Sequence, residues 1–312
     1  MNDLTNKKIL VTGAHGFLGS YVVDNLLSKG VPRSHIRTPS SKEMDLRQWD
    51  GCVKAVRDID LVLHVAGRGG GISYNQRFPG SLFYDNIIMN TQLMEASRLE
   101  GVGKFVAIGT VCSYPKFAPI PFKEEDIWDG YPEETNASYG LSKKMMIVQS
   151  EAYRRQYSFN SVNLLMVNLY GPRDDFDLEN SHVIPALIRK FVDAVDSGSK
   201  EVHVWGTGKA SREFLYVEDA AEAIVLAGMK YSSSDPVNIG NGQEWPIRTI
   251  VEVIAKLTGY TGAIVWNSDR PDGQPKRCLD VTKAKERFGF EARVGLEDGL
   301  RRTIDWYRST LK

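Results

Sequence analysis

Cysteine is scarce in this chain of 312 residues, which has only three, far apart in the sequence: Cys52, Cys112 and Cys278. Their spacing offers no Cys-x-x-Cys pair, so we expect reduced thiols rather than a disulfide framework or a zinc site. A long apolar run is also lacking, since no stretch approaches the roughly 20 residues that span a bilayer. The polar N-terminus does not resemble a signal peptide. These absences predict a cytoplasmic protein with no metal and no membrane partner.

An excess of charge of one sign is absent too, because 39 basic residues balance 39 acidic ones. A zero net charge argues against nucleic acid or an anionic membrane as a partner, although it leaves room for a local basic pocket that binds phosphates. The hydrophobic fraction of 42% and charged fraction of 25% are ordinary for a globular protein. The length suits one large domain or two interlocked ones.

Glycine is abundant, and its first cluster follows the first predicted strand in the run Thr12-Gly13-Ala14-His15-Gly16-Phe17-Leu18-Gly19. Glycines at these spacings allow a tight turn, a close approach of the backbone to a pyrophosphate, and packing of the next helix on the strand. The N–H groups at the start of that helix then face the phosphates. We therefore assign cofactor binding to this turn through Gly13, His15, Gly16, Phe17, Leu18 and Gly19; the alternative is a purely structural turn.

Predicted strands and helices alternate through the first half of the chain. This order indicates parallel strands joined by right-handed crossovers, the doubly wound α/β (Rossmann) fold. After Gly171-Pro172 the pattern changes to helices and short strands. We expect a dinucleotide-binding domain over residues 1–173, with segments near 202–240 returning to it. A smaller, interleaved C-terminal domain that binds substrate is expected mainly over residues 174–312.

The tip of the second predicted strand, Arg37-Thr38-Pro39-Ser40-Ser41-Lys42, indicates which nicotinamide cofactor is used. NAD-binding folds place a carboxylate there to hold the ribose 2′-hydroxyl, and none is present. Arg37 can bind a 2′-phosphate instead, so NADP(H) is favoured and NAD(H) stays possible. The alternative is that Arg37 and Lys42 are surface charges. Further cofactor contacts are assigned to Asp45 and Leu46 beside the adenine, and to Ala66 after the third strand.

A Tyr-x-x-x-Lys motif, Tyr139 to Lys143, begins a predicted helix. The i, i+4 spacing places both side chains on one helical face. A lysine cation near the tyrosine favours the phenolate and lowers its pKa, and it can also hold the nicotinamide ribose. Thr110, which ends the fourth predicted strand, supplies a hydroxyl for a substrate carbonyl. A surface Tyr and Lys are the alternative, but the combined motifs predict catalysis by Thr110, Tyr139 and Lys143.

The order of these motifs, followed by Asn168-Leu169-Tyr170-Gly171-Pro172, resembles the extended short-chain dehydrogenase/reductase (NAD-dependent epimerase/dehydratase) family. Several further segments resemble the GDP-L-fucose synthase group, the GDP-4-keto-6-deoxymannose 3,5-epimerase/4-reductases. They include Val111-Cys112-Ser113-Tyr114-Pro115-Lys116, Asn180-Ser181-His182-Val183-Ile184-Pro185-Ala186-Leu187 and Val204-Trp205-Gly206-Thr207-Gly208. The resemblance covers nearly the whole chain.

The resemblance implies roles for residues that the motifs alone leave open. Cys112 and His182 match the pair that the family uses for epimerisation, although a buried cysteine and a histidine at a helix start are the structural alternatives. The segments that resemble the nucleotide-sugar site contain Asn168, Lys190, Trp205 and Arg212. Three positions depart from the family: Thr110 stands where Ser is usual, and Lys190 and His15 stand where Arg is frequent.

The expected activity is that of a nucleotide-sugar 3,5-epimerase/4-reductase acting on a GDP-4-keto-6-deoxyhexose with NADPH. One alternative is an epimerase-only or reductase-only enzyme for another GDP-sugar, such as a GDP-heptose. The other is a non-catalytic sensor of NADP(H). The family resemblance also implies a homodimer, built on the helices near residues 79–99 and 142–157.

Overall fold

A parallel sheet of six strands forms the centre of the computed structural model, which describes residues 3–178, 181–268 and 274–311. The strands of these residues, in chain order, are β1 (Ile9–Thr12), β2 (Ile36–Arg37), β3 (Leu61–His64), β4 (Lys104–Thr110), β5 (Ser161–Met166), β6 (Asn168–Tyr170), β7 (Glu201–Trp205), β8 (Ser211–Tyr216), β9 (Val237–Ile239), β10 (Glu244–Pro246) and β11 (Ala263–Asn267). The main sheet has the order β2-β1-β3-β4-β5-β9.

Helices of the described residues cover this sheet and build a second layer beyond it. They are α1 (Phe17–Ser28), α2 (Trp49–Val56), α3 (Ile72–Arg77), α4 (Pro79–Leu99), α5 (Ala137–Tyr157), α6 (Val183–Ser197), α7 (Val217–Lys230), α8 (Ile247–Thr258), α9 (Thr282–Phe288) and α10 (Leu296–Thr310). None is long and apolar enough to cross a membrane.

Both faces of the main sheet are buried, because successive side chains of each strand point to opposite sides. Ile9 and Val11 of β1 belong to the core cluster that contains residues of α1 and α7, whereas Leu10 belongs to the cluster with α2 and α4. Every residue of β1, β3, β4 and β5 is buried. This explains why their sequences are almost continuously apolar, as expected of parallel strands covered by helices.

The strand order changes direction at β1, so that strands are added on both sides of it. β2 pairs with one edge of β1, and β3 pairs with the other. The loops after β1 and β3 therefore diverge and leave a crevice at the carboxyl ends of the strands, which is where doubly wound folds bind ligands. The predicted Rossmann architecture is confirmed.

The second layer contains a sheet of order β10-β8-β6 and the parallel pair β11-β7, covered by α6, α8 and α10. Residues 202–240, which the sequence led us to expect back in the first domain, are divided between the two layers. α7 packs against α1, and β9 pairs with β5 of the main sheet. β7, in contrast, pairs with β11. Alternate residues of β7 are buried, so one face of the strand packs on the core of the second layer.

Candidate functional site

A cavity of about 680 Å³ opens at the carboxyl ends of β1, β3 and β4 and extends toward α6 and β8. Its walls include the glycine turn, the segment 65–71 after β3, the segment 108–112 at the end of β4, and residues of α5 and α6. Nearly every residue assigned to the site from the sequence lies on this one surface. Four of the assigned cofactor residues, discussed below, do not.

The glycine turn has the geometry that a bound pyrophosphate requires. Gly13 has φ +67°, and a Cβ there would lie 2.9 Å from Ala66 Cα. A Cβ at Gly19 would overlap the carbonyl oxygen of Gly13. The first residue of α1, Phe17, follows Gly16, which gives no side-chain cap, so the first N–H groups of the helix are left for an anion. Gly13, Gly16, Phe17, Leu18, Gly19 and Ala66 all line the cavity, so these residues fit a dinucleotide.

The other four residues assigned to the cofactor lie outside the cavity lining. The Nη1 group of Arg37 donates to the carbonyls of Lys54, Ala55 and Arg57 at the end of α2, at 3.3, 3.0 and 2.7 Å, and Arg37 does not line the cavity. Asp45 pairs with Arg47, and Leu46 lies in the core. His15 Nε2 contacts the Thr38 carbonyl at 3.0 Å and also lies outside the cavity lining.

The strand β4 ends at the centre of the cavity. Thr110, which is 8% exposed, accepts a hydrogen bond at Oγ1 from the Cys112 backbone N–H at 3.2 Å. Gly140 lies behind Cys112, and a Cβ at Gly140 would overlap the Cys112 carbonyl oxygen. α5 therefore packs closely enough for Tyr139 to line the same cavity as the cysteine.

The predicted helix start at Ser142 is corrected to Ala137, so Tyr139 and Lys143 both lie on α5. Lys143 is 3% exposed and donates to the Ala66 carbonyl at 3.3 Å. Burial lowers the pKa of Lys143 to about 8. Burial, assisted by Cys112, raises the pKa of Tyr139, contrary to the expectation that Lys143 lowers it. The cause is desolvation, which disfavours the charged form of each residue, the phenolate of Tyr139 and the ammonium of Lys143.

His182 caps the start of α6 from an extended backbone conformation, and its ring makes no capping hydrogen bond. It lines the cavity together with Ser181. The surrounding protein lowers the pKa of the His182 imidazole, and the carboxylate of Asp175 opposes that shift. Asn180, part of the segment that resembled the family, lies outside the described residues.

The assigned substrate residues line the far part of the cavity. Lys190 donates to the His203 carbonyl at 3.0 Å, with its ammonium 5.5 Å from the centre of the Trp205 ring. Asn168 donates to the Glu213 carbonyl at 3.0 Å, and Arg212 donates to the Ser211 carbonyl at 2.7 Å. Two cations and an aromatic ring at one end suit a nucleoside diphosphate.

A buried hydrogen-bond chain supports α5, the helix that carries Tyr139 and Lys143. Asn90 Nδ2 donates to the Ser142 carbonyl at 3.4 Å, so its Oδ1 accepts from His64 Nε2 at 2.8 Å. His64 Nδ1 then accepts from the Thr12 hydroxyl at 2.8 Å, which itself accepts the Ala66 N–H at 3.0 Å. Burial lowers the pKa of His64 to about 3, so the ring is neutral. His64 is thus a core residue with both ring nitrogens hydrogen-bonded.

Sequence reasoning missed several cavity residues. Arg277 lies 3.4 Å from the sulfur of Cys112, measured from Nη1, and Gln274 lies beside it. Asn75, Glu133 and Asn136 form a hydrogen-bonded group near Tyr139. The sequence assigned no role to these residues, because long-range folding brings them to the cavity.

Replacing the buried Lys143 with methionine should stabilise the fold while removing activity. The folded-state pKa of about 8 lies below the ordinary value of 10.5, so the unfolded chain binds the proton more tightly. The resulting penalty is complete below pH 8 and is relieved as the pH rises toward 10.5. We expect Lys143→Met to raise the free energy of unfolding at pH 7 by roughly 1–3 kcal/mol.

Urea unfolding of the ligand-free protein at pH 7 and at high pH measures this effect, which should shrink at high pH. The exposed Lys230, replaced in the same way, serves as the control and should change neither stability nor activity. A less stable Lys143→Met variant at pH 7 would mean that the hydrogen bond to Ala66 outweighs the cost of burial.

The fold, the glycine turn and the Tyr139–Lys143 pair together define an extended short-chain dehydrogenase/reductase. The chain belongs to the NAD dependent epimerase/dehydratase family, whose sequence profile matches residues 9–240. Its relatives include a probable GDP-L-fucose synthase 1 of Oryza sativa subsp. japonica, 39% identical over 96% of this chain and 92% of the relative. The GDP-L-fucose synthase of Escherichia coli strain K12 is 34% identical over 97% of both chains.

Solved structures agree with these relatives. A GDP-6-OMe-4-keto-L-xylo-heptose reductase from C. jejuni superposes with a TM-score of 0.92 at 26% identity, covering 99% of this chain and all of the other. A GDP-L-fucose synthetase from Naegleria fowleri bound to NADP has a TM-score of 0.87 at 26% identity, covering 100% of this chain and 97% of that one.

Proposed function

We propose that this protein is a nucleotide-sugar 3,5-epimerase/4-reductase that acts on a GDP-4-keto-6-deoxyhexose with NADP(H), as in GDP-L-fucose synthases. The observation that carries the proposal is that one cavity holds two sets of groups. Thr110, Tyr139 and Lys143 suit the reduction of a ketone, and Cys112 and His182 suit the inversion of carbons beside it. Relatives named GDP-L-fucose synthase match nearly the whole chain.

Epimerisation requires a base on one side of the sugar and an acid on the other. The 4-keto group acidifies the C–H bonds at C3 and C5, and the Cys112 thiolate removes the proton. The negative charge passes to the keto oxygen, where the hydroxyls of Thr110 and Tyr139 hold it by hydrogen bonds. His182 returns a proton from the opposite side, which inverts the carbon.

Reduction follows at C4. NADPH, when bound along the glycine turn, supplies the hydride. The Tyr139 hydroxyl donates its proton to the oxygen, and its raised pKa keeps it protonated for that donation at neutral pH. Lys143 lies one helical turn away and is placed to hold the nicotinamide ribose. Asn168, Lys190, Trp205 and Arg212 hold the nucleoside diphosphate at the far end.

The test is incubation of the protein with GDP-4-keto-6-deoxymannose and NADPH, followed by NMR of the product. Oxidation of the cofactor with formation of GDP-L-fucose supports the proposal. Formation of the 4-reduced sugar with unchanged C3 and C5 would contradict the epimerase half. A lack of cofactor oxidation would contradict the assignment of GDP-4-keto-6-deoxymannose as the substrate.

A GDP-heptose reductase is the second candidate. The superposition with the C. jejuni heptose reductase favours it, although the presence of both Cys112 and His182 in the cavity favours the bifunctional enzyme. A side-by-side assay with a GDP-4-keto-heptose separates the two, since the true substrate should show the higher kcat/KM. The sensor alternative is not retained, because the chain is an enzyme of this family.

The assembly and location of the enzyme are proposals as well. Phe83 and Tyr84 on α4 and Val148 on α5 are exposed apolar residues that support a homodimer on these helices. Met146 of α5, in contrast, lies in the core at 1% exposure and does not belong to this surface. A cytoplasmic location is the expectation from the sequence.

A further inference from the structure

Arg277 is a buried cation beside the cysteine of the cavity. Its side chain is 7% exposed, it lines the same cavity as Cys112, and its Nη1 lies 3.4 Å from the Cys112 sulfur. The two residues are 165 positions apart, so this contact is a product of the tertiary fold.

The backbone of Arg277 is fixed independently of the cysteine. The Arg277 carbonyl accepts the Glu213 N–H at 3.1 Å, and the carbonyl of Pro275, two residues earlier, accepts the Ser211 N–H at 2.9 Å. The segment therefore runs along the edge of β8. Leu279 donates its N–H to the Glu213 carboxylate at 2.7 Å. The position from which the guanidinium reaches the cavity is therefore set by β8.

The direction of the guanidinium is also fixed. A carbonyl only accepts, so Gln274 must present its amide N–H to the Lys116 carbonyl at 2.8 Å. The amide oxygen of Gln274 then faces Arg277 and accepts from Nε at 2.8 Å. With Nε held in this way, Nη1 is left pointing at Cys112.

The cavity beside this cation favours an anion. Within the described part of the chain no carboxylate lies within 4 Å of the Arg277 guanidinium, and burying an unpaired charge is costly. Arg277 contacts the Cys112 sulfur directly, and Tyr139 of α5 interacts with it electrostatically, while Glu133, Lys143 and His182 line the same cavity. Two anions could complete the pair: the Cys112 thiolate or the diphosphate of the substrate.

We propose that Arg277 is a positioning residue that supplies the counter-charge to the Cys112 thiolate and aims its sulfur at the sugar. The inference rests on the proposed epimerisation by Cys112. The thiolate is preferred over the diphosphate because Nη1 already donates to the sulfur. Lys190 and Arg212 also provide cations at the nucleotide end of the cavity.

The role is consistent through the reaction. When the thiolate takes a proton from C3 or C5, the sulfur becomes neutral and the charge moves to the keto oxygen beside Thr110 and Tyr139. Arg277 keeps its proton throughout, because a guanidinium does not deprotonate in proteins. The cation is therefore still in place to stabilise the thiolate when the thiol releases its proton to solvent.

The test measures the alkylation of Cys112 by iodoacetamide as a function of pH, with mass spectrometry to locate the label. Only the thiolate reacts, and Cys52 and Cys278 are buried. In Arg277→Gln we expect the midpoint of alkylation to move to higher pH by about one unit, which is about a tenfold slower reaction at neutral pH. Arg277→Lys should restore most of the rate, and the exposed Arg301→Gln is the control.

The same variants are assayed for deuterium exchange at C3 and C5 and for substrate affinity. Arg277→Gln should lower the kcat of exchange about tenfold or more with little change of KM. Circular dichroism checks that Arg277→Gln is folded. If it does not fold, the comparison of Arg277→Lys with the unmodified protein still tests the proposal. Unchanged alkylation with a raised KM would overturn the proposal in favour of a diphosphate contact.

Failure of the proposed function has a different signature. If Cys112→Ser retained full exchange, Cys112 would not be the base, and the epimerisation mechanism would fail. The alkylation experiment would still report whether Arg277 sustains the thiolate. The two ideas are therefore tested separately.

Discussion

Replacing Cys112 with serine should abolish epimerisation and leave reduction in place. Serine has nearly the size and shape of cysteine, but its hydroxyl is scarcely ionised near neutral pH and cannot serve as the base. We expect deuterium exchange at C3 and C5 to fall by about 10²–10⁴-fold, the usual contribution of a general base. Oxidation of NADPH should continue, and NMR should show a 4-reduced sugar with unchanged C3 and C5.

The control for this variant is Cys52→Ser, because Cys52 is a buried thiol on the far face of the sheet, hydrogen-bonded to the Leu46 carbonyl. It should keep both reactions. Equal loss of exchange and of reduction in Cys112→Ser would show instead that the cysteine supports the shape of the cavity, and the separation of roles would be wrong.

The second large effect is expected for Tyr139→Phe, which removes the hydroxyl that we propose as the proton donor of the reduction. The ring is kept, so the packing of α5 through Gly140 against Cys112 should survive. We expect the kcat of NADPH oxidation to fall by about 10²–10⁴-fold with little change in the affinity for the cofactor. Exchange at C3 and C5 should persist at a reduced rate, because Thr110 still holds the keto oxygen.

The matched control is Tyr131→Phe, an exposed tyrosine outside the cavity lining. Its activity should be that of the unmodified enzyme. Retention of reduction in Tyr139→Phe would point to water or another hydroxyl as the proton donor, whereas complete loss of exchange would assign Tyr139 to both steps.

Local sequence was enough to predict the parts of the site that depend on local geometry. The glycine turn is a strand-to-helix connection, and the spacing of Tyr139 and Lys143 is one helical turn, so both could be placed from periodicity. The same holds for the alternation of strands and helices that defines the fold.

The structure departs from the sequence expectations where distant segments decide the position of a side chain. Arg37 was assigned to a 2′-phosphate because it ends the second strand, but α2 was not predicted, and the carbonyl end of that helix binds the guanidinium. Arg277 was missed for the converse reason, since only the pairing of residues 275–279 with β8 brings it to Cys112. The raised pKa of Tyr139 likewise depends on burial that periodicity does not reveal.

The central claim is that one cavity carries out both epimerisation and reduction, and deuterium exchange tests it most directly. The protein is incubated with GDP-4-keto-6-deoxymannose in deuterated water without NADPH, and NMR follows C3 and C5. The account predicts deuterium at both carbons, followed by conversion of the labelled sugar to GDP-L-fucose when NADPH is added. NADPH-dependent reduction of a sugar that never exchanges at either carbon would contradict it.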